Sequence, residues 1–173
     1  FFGVYFFGYN TNYFNTSMLL NAFLMPALYT LGAYFSVTTY KKEVKEIGFR
    51  DAFGRAFKPM FIGGFLSMFS IFAFLNYGDT DAKDLLNHQY VERQKTELDN
   101  EYNKAKQILA KKEDKEELEK KYQERLQSFA PELVKDKDMF TFRNFTYFFA
   151  AVLVFYTILS TFFGTFFRNK TIE

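Results

Sequence analysis

The sequence contains no cysteine and no tryptophan, and it has only one histidine among its 173 residues. Without cysteine there is neither a disulfide framework nor a thiolate metal site. His88, with Asp84 and Glu92 four residues to either side, is the one arrangement that suggests a divalent metal. Since it lacks a second histidine or a cysteine, an ordinary solvated helix face is the favoured interpretation, and we expect no metal and no cofactor.

The sequence also has no large excess of either positive or negative charge, because its 22 Lys and Arg residues are interleaved with 20 Asp and Glu residues. No basic stripe of the kind that binds nucleic acid is present, so we expect no nucleic-acid partner. The sequence contains no glycine-rich phosphate loop, no nucleophile elbow and no HExxH motif. We therefore expect a protein that is not an enzyme.

Aromatic and aliphatic residues are concentrated in three long segments, residues 17–40, 57–77 and 144–167, and the second is free of charge from Pro59 onward. Each is long enough for a transmembrane helix, which needs about 20 predominantly apolar residues. A soluble protein of this size has too little chain to cover three such helices. The opening run FFGVYFFGY, residues 1–9, is interpreted as the end of a longer helix rather than as a signal peptide, since no basic start or small-residue cleavage site is visible. The sequence thus predicts an all-α polytopic membrane protein with four spans, the first truncated.

Short basic segments predict the orientation of these spans. Residues 41–56 carry five Lys and Arg residues, and Arg168 and Lys170 follow the last span, whereas residues 10–16 are uncharged. Because short loops rich in Lys and Arg stay in the cytoplasm, we expect the connector 41–56 and the C-terminus there. The chain then divides into spans 1–77, an external insert 78–143, and a last span with its tail, 144–173.

The insert is strongly charged, with 16 Asp or Glu and 14 Lys or Arg residues, and it has no Gly or Pro from Asp79 through Ala130. This composition favours helix at nearly every position. Apolar residues form one narrow stripe that is interrupted between Lys111 and Asp114, and Asp114 with Glu117 resembles a helix N-cap and its box partner. Two antiparallel helices, roughly 82–110 and 115–129, are therefore favoured over one continuous rod.

Small and polar residues are the remaining features of the spans. Gly63 with Ser67, and Ser160 with Gly164, form notches that suit close helix packing, either within this chain's own bundle or against a partner's helix. Asn21, Pro26 and Thr30 mark either a kinked helix lining a small polar cavity or ordinary packing, the latter being favoured.

The connector also contains Ile47-Gly48-Phe49 followed by Ala52-Phe53, and the second span ends in Asn76-Tyr77. With the charged insert and the basic end of the last span, this layout resembles the bacterial membrane family known as domain of unknown function 4199. The resemblance covers nearly the whole chain. It implies a four-helix protein of the inner membrane of a Gram-negative bacterium, and it supplies no site residues, because the family has no established activity.

Spans without ionisable residues argue against a proton pump or an intramembrane enzyme. The leading hypothesis is a non-catalytic accessory or scaffold subunit that associates with a larger membrane protein, or with further copies of itself, in the lipid bilayer. The alternative is a small transporter or lipid-handling protein. The aromatic residues of the basic connector favour positioning at the membrane surface, with specific lipid binding as the second possibility.

Overall fold

The computed structural model describes residues 1–9, 12–109, 112–130, 133 and 138–169. Within these ranges every regular element is helical, which confirms the all-α prediction. In chain order the elements are α1 (Phe2–Gly8), α2 (Tyr13–Val44), α3 (Phe49–Ala73) with a π-helical turn (Phe74–Gly78), α4 (Thr80–Ile108), α5 (Lys112–Gln127) and α6 (Phe142–Phe167).

Three helices are long and apolar enough to cross a membrane, namely Tyr13–Val44, Phe49–Gly78 and Phe142–Phe167. The three complete spans predicted from the sequence are thereby confirmed as helices of the required length and composition. α2 and α3 extend beyond their apolar segments, so only residues 45–48 of the predicted connector lie outside helices. Lys45, with a φ of 62°, ends α2 and turns the chain back.

The fourth predicted span corresponds to α1, which has seven residues and rises only about 10 Å. It lies beside the start of α2 and the π-helical turn, where Phe1, Phe2 and Tyr5 contact the ring of Phe74. Its other side is open, and Phe7 is 94% exposed. A fourth membrane-spanning helix therefore remains a prediction.

α3 and α6 form the closest helix pair, running antiparallel. The apolar core between them contains the small side chains of Ala52 and Ala56 of α3, which are fully buried. Tyr156 and Phe163 of α6 are buried in the same core. Small residues let helix backbones approach, which is how helices associate in lipid without a hydrophobic driving force. α2 adds only part of one side to the same cluster, through residues such as Val37.

A second apolar cluster joins the opposite end of the bundle to the insert. It contains Val4, Tyr13, Leu75, Ala82 and Leu86, which belong to α1, α2, the π-helical turn and α4. In that turn the amide of Asp79 donates to the carbonyl of Phe74 at 2.8 Å. Since this bond spans five residues, the backbone widens there before α4 begins.

The insert contains the two predicted helices as an antiparallel pair. They end and begin earlier than expected, since α4 stops at Ile108 and α5 starts at Lys112. The predicted cap at Asp114 is wrong, because this residue already lies in the first turn of α5. Lys and Glu have high helix propensity, so the helix extends toward its N-terminus past the acidic residue, whose charge still suits the positive end of the helix dipole.

Candidate functional site

The two basic segments lie together at one end of the bundle. The Lys41 ammonium donates to the carbonyl of Phe167 at 2.9 Å, and the amide of Asn169 donates to the carbonyl of Ile47 at 2.9 Å. These contacts join the turn between α2 and α3 to the end of α6. The described basic residues of both segments are thus on the same side, as the charge argument requires, while Lys170 lies outside the described residues.

The outer face of α2 carries the first candidate site. Only 6% of the most apolar window of this helix is buried, compared with 17% for α3 and 22% for α6. Asn21 is exposed there, and its side chain makes no hydrogen bond within the described part of the chain. Eleven residues on, Gly32 is also exposed, and a Cβ added to it would meet nothing within 4 Å.

Asn21 and Gly32 project from one face of α2. At 100° per residue they are separated by about 20° around the helix axis, with Leu28, 51% exposed, between them. A polar amide and a glycine on one apolar face are the features by which membrane helices bind one another, the first through an interhelical hydrogen bond and the second through close backbone approach. We call Asn21, Leu28 and Gly32 the α2 face.

The predicted polar region of Asn21, Pro26 and Thr30 is not gathered at one point. The Thr30 hydroxyl donates to the carbonyl of Pro26 at 2.7 Å, which is a bond within α2 itself. Thr30 lies about 180° around the helix from Asn21, on the side that faces an apolar groove toward Phe163 of α6. The structure thus separates the asparagine from the other two residues.

The small-residue notches face other parts of the same chain. Ser160 is fully buried, and a Cβ on Gly164 would lie 2.8 Å from the ring of Phe49. On α3, a Cβ on Gly63 would make an ordinary contact of 3.7 Å with Tyr29, and Ser67 is half-buried. Gly164 is thus close to α3, and Gly63 is close to α2, of the chain itself.

The tightest glycine position is Gly64, which was not predicted from the sequence. A Cβ there would lie 2.8 Å from Cε2 of Tyr156, so glycine is required for α3 and α6 to pack at this distance. Gly64 was overlooked because it is not four residues from another small residue facing the same way. The GG dipeptide is the only signal of it in the sequence.

A group of polar side chains around Asp138 connects the insert to the bundle. This group was not predicted from the sequence. The carboxylate of Asp138 pairs with the Lys83 ammonium at 3.2 Å and accepts from Asn87 at 3.1 Å and from the amide of Phe140 at 2.7 Å. The Asn144 side chain donates to the carbonyl of Asp138 at 3.2 Å. Burial opposes ionisation of this carboxyl, but the three bonds to it outweigh burial and hold its pKa below its ordinary value.

A second carboxylate, Asp79, connects α1 to the start of α4. It accepts a hydrogen bond from the Tyr5 hydroxyl at 2.6 Å and caps α4 by accepting from the amide of Ala82 at 3.0 Å. The bond from Tyr5 contributes most to lowering the pKa of Asp79. Asp79 and Asp138 thus both link separate helices through hydrogen bonds to their carboxylates.

The insert hairpin is held by a tyrosine pair. The rings of Tyr102 and Tyr122 stack with centroids 4.3 Å apart. The Tyr122 hydroxyl donates to Asp99 at 2.7 Å, and the Tyr102 hydroxyl donates to Glu119, so each tyrosine bonds a carboxylate across the pair. This arrangement fixes the register of α4 against α5.

His88 is exposed on α4, and so are Asp84 and Glu92. Across the described ranges, which were the only residues searched, no three His, Asp or Glu side chains are grouped closely enough to hold a metal ion.

Comparison with known proteins gives one finding. The sequence model of one family matches residues 1–169, and its description is protein of unknown function, DUF4199. Comparisons with curated proteins and with solved structures give no significant match.

Proposed function

The chain belongs to the DUF4199 family, and on this premise we propose that it is a non-catalytic subunit of a membrane complex that docks a larger membrane protein through the α2 face. The observation that carries the proposal is the pairing of Asn21 and Gly32 on an exposed, otherwise apolar helix surface. An interhelical hydrogen bond in a membrane contributes about 1–2 kcal/mol in model helices. Docking satisfies the amide of Asn21, which lacks a partner in the described chain.

The orientation that we propose follows from the charge distribution. The end of the bundle that carries Lys41 and Arg168 lies on the cytoplasmic side of a bacterial inner membrane, and the hairpin of α4 and α5 lies in the periplasm. α1 is the end of a fourth span in this arrangement. The hairpin, whose own apolar stripe is narrow, then serves as a periplasmic brace for the docked partner.

A second copy of the chain is the other occupant that the α2 face can accept. Site-specific cross-linking separates the two, because the chain has no cysteine and each introduced cysteine is the only one. Leu28→Cys places a thiol in the centre of the face. Ile158→Cys, at an exposed position on α6, is the matched control, since Ile158 is 65% exposed and Leu28 51%.

Cross-linking in native membranes is expected to give one product of defined mass from Leu28→Cys and none from Ile158→Cys. Adding Asn21→Leu should weaken docking about 5- to 30-fold, the equivalent of one such hydrogen bond. A product of twice 20.5 kDa would assign the face to a second copy instead. Equal yields of cross-linked product from Leu28→Cys and Ile158→Cys would mean that the face contacts only lipid.

The transporter alternative gains no support from the arrangement of its residues. It needs Asn21 and Thr30 to line one path, whereas they lie on opposite sides of α2. It stays a prediction, which flux measurements on Asn21→Leu would test.

A further inference from the structure

The first turns of α3 border an open groove of about 570 Å³ at the basic end of the bundle. Three cations line it, Arg50, Arg55 and Lys58, together with the rings of Phe53 and Phe57. Asp51 is the one carboxylate in the lining, so cations are in excess. None of the three cations forms an ion pair with a described residue.

Gly54 forms the floor of this groove. A Cβ added to it would meet nothing within 4 Å, and its φ is not positive, so neither packing nor backbone conformation requires glycine there. In a helix interior glycine costs about 1 kcal/mol relative to alanine. A glycine of this kind lets a ligand approach the backbone closely.

The cations flank this floor from both ends. Arg50 and Lys58 lie four residues before and after Gly54, about 6 Å along the axis in each direction, which is within the reach of their side chains. The guanidinium carbon of Arg55 lies 3.8 Å from the centroid of the Tyr40 ring, which also lines the groove. A phosphate above Gly54 is thus within reach of both flexible cations.

The aromatic lining continues out of the groove along α3. Successive rings of Phe53, Phe57, Phe61, Phe65 and Phe69 stack at centroid distances of 5.6 to 6.4 Å. The last three are exposed, and they follow the charge-free part of the span. The track thus runs from the basic end of the bundle along the apolar part of α3 and suits an acyl chain.

We propose that this groove binds an anionic phospholipid, with its phosphate over Gly54 between Arg50 and Lys58 and an acyl chain along the phenylalanine track. The charge of the lining selects an anionic headgroup over a zwitterionic one. The apolar track is the reason to assign a lipid rather than a free phosphate. This site lies on α3, away from the α2 face, and does not depend on a partner.

The test uses the purified full chain in phosphatidylcholine vesicles that contain a small share of lipid with brominated acyl chains. Because the chain has no tryptophan, Phe53→Trp introduces a single fluorophore in the groove, and Phe35→Trp places one on α2, outside the groove and the track, at a position that is 61% exposed. Brominated phosphatidylglycerol should quench Phe53→Trp several-fold more than brominated phosphatidylcholine at equal mole fraction. At Phe35→Trp the two lipids should differ much less.

Three further variants test the residues. Arg50→Gln and Lys58→Gln are each expected to reduce the preference for phosphatidylglycerol about fivefold. Gly54→Leu fills the floor and should abolish it, whereas Gly3→Leu, which also adds a side chain to a helical glycine with open space above it, should not. The two glutamine variants change exposed side chains, so they keep the test valid if Gly54→Leu misfolds.

Three results would overturn the proposal. The first is equal quenching of Phe53→Trp by the two lipids. The second is an unchanged preference in both glutamine variants. The third is loss of the preference in excess inorganic phosphate but not in chloride of equal ionic strength, which would assign the groove to a free anion.

Discussion

Replacing either of two adjacent glycines of α3 by alanine is expected to have different effects on stability. Gly64 faces α6, where an added Cβ lies 2.8 Å from Cε2 of Tyr156, a side chain only 1% exposed. Gly63 faces α2, and its added Cβ would make an ordinary contact of 3.7 Å with Tyr29. Tyr156 is enclosed and has little room to yield, whereas the contact at Gly63 needs no adjustment.

The magnitude follows from two terms. Each substitution gains about 1 kcal/mol of helix propensity, and this gain cancels when the two variants are compared. Gly64→Ala also overpacks the core, which costs about 1–3 kcal/mol. For a chain of 173 residues, a difference of about 2 kcal/mol in the free energy of unfolding between the two variants places the midpoint of Gly64→Ala about 4–8 °C below that of Gly63→Ala.

The assay is thermal unfolding of both variants in one mild detergent, followed by circular dichroism and by the monodisperse fraction remaining after heating. We expect Gly63→Ala to unfold at or above the temperature of the unmodified chain and Gly64→Ala several degrees below it. Equal midpoints for the two variants would refute the register of α3 against α6 and the close approach at Gly64.

The remaining predictions concern the insert. Because the pKa of Asp138 is lowered in the folded chain, its contribution to stability is present above the ordinary carboxyl pKa of 3.8 and is lost as the pH falls through the folded value. Asp138→Asn should therefore flatten the loss of stability below about pH 4, and an unchanged acid limb would show that Asp138 is not its source. Tyr122→Phe removes the hydroxyl that bonds Asp99, so trypsin should cleave α5 faster while the spans stay protected. Tyr147→Phe, at an exposed position on α6, is the control, and equal cleavage rates would contradict the role of the tyrosine pair.

The spans were predictable because their signal is local. Twenty or more apolar residues without charge indicate a membrane helix whatever lies beside them, and α2, α3 and α6 all follow this rule. The two helices of the insert were predictable for a similar reason, since helix propensity is high at nearly every position. The basic end was predictable from charge, because both basic segments flank spans of the expected length.

The contacts between helices were not predictable in the same way. Gly63 and Gly64 point about 100° apart, and choosing between them requires knowing on which side α2 and α6 lie. Asp138 bonds Lys83 and Asn87, which are 55 and 51 residues away, so no spacing rule connects them. Asn21 and Thr30 are close in sequence but on opposite sides of α2, and only the helix packing gives each its surroundings.

The most direct test of the central claim is the composition of the native complex. The chain, tagged at its C-terminus, is extracted from native membranes in a mild detergent, and the mass and stoichiometry of what stays bound are measured alongside an Asn21→Leu, Gly32→Leu double variant. We expect a stoichiometric larger membrane protein with the unmodified chain and its loss from a double variant that remains folded. A monomer with no bound protein, or a complex that the double variant retains, would contradict it.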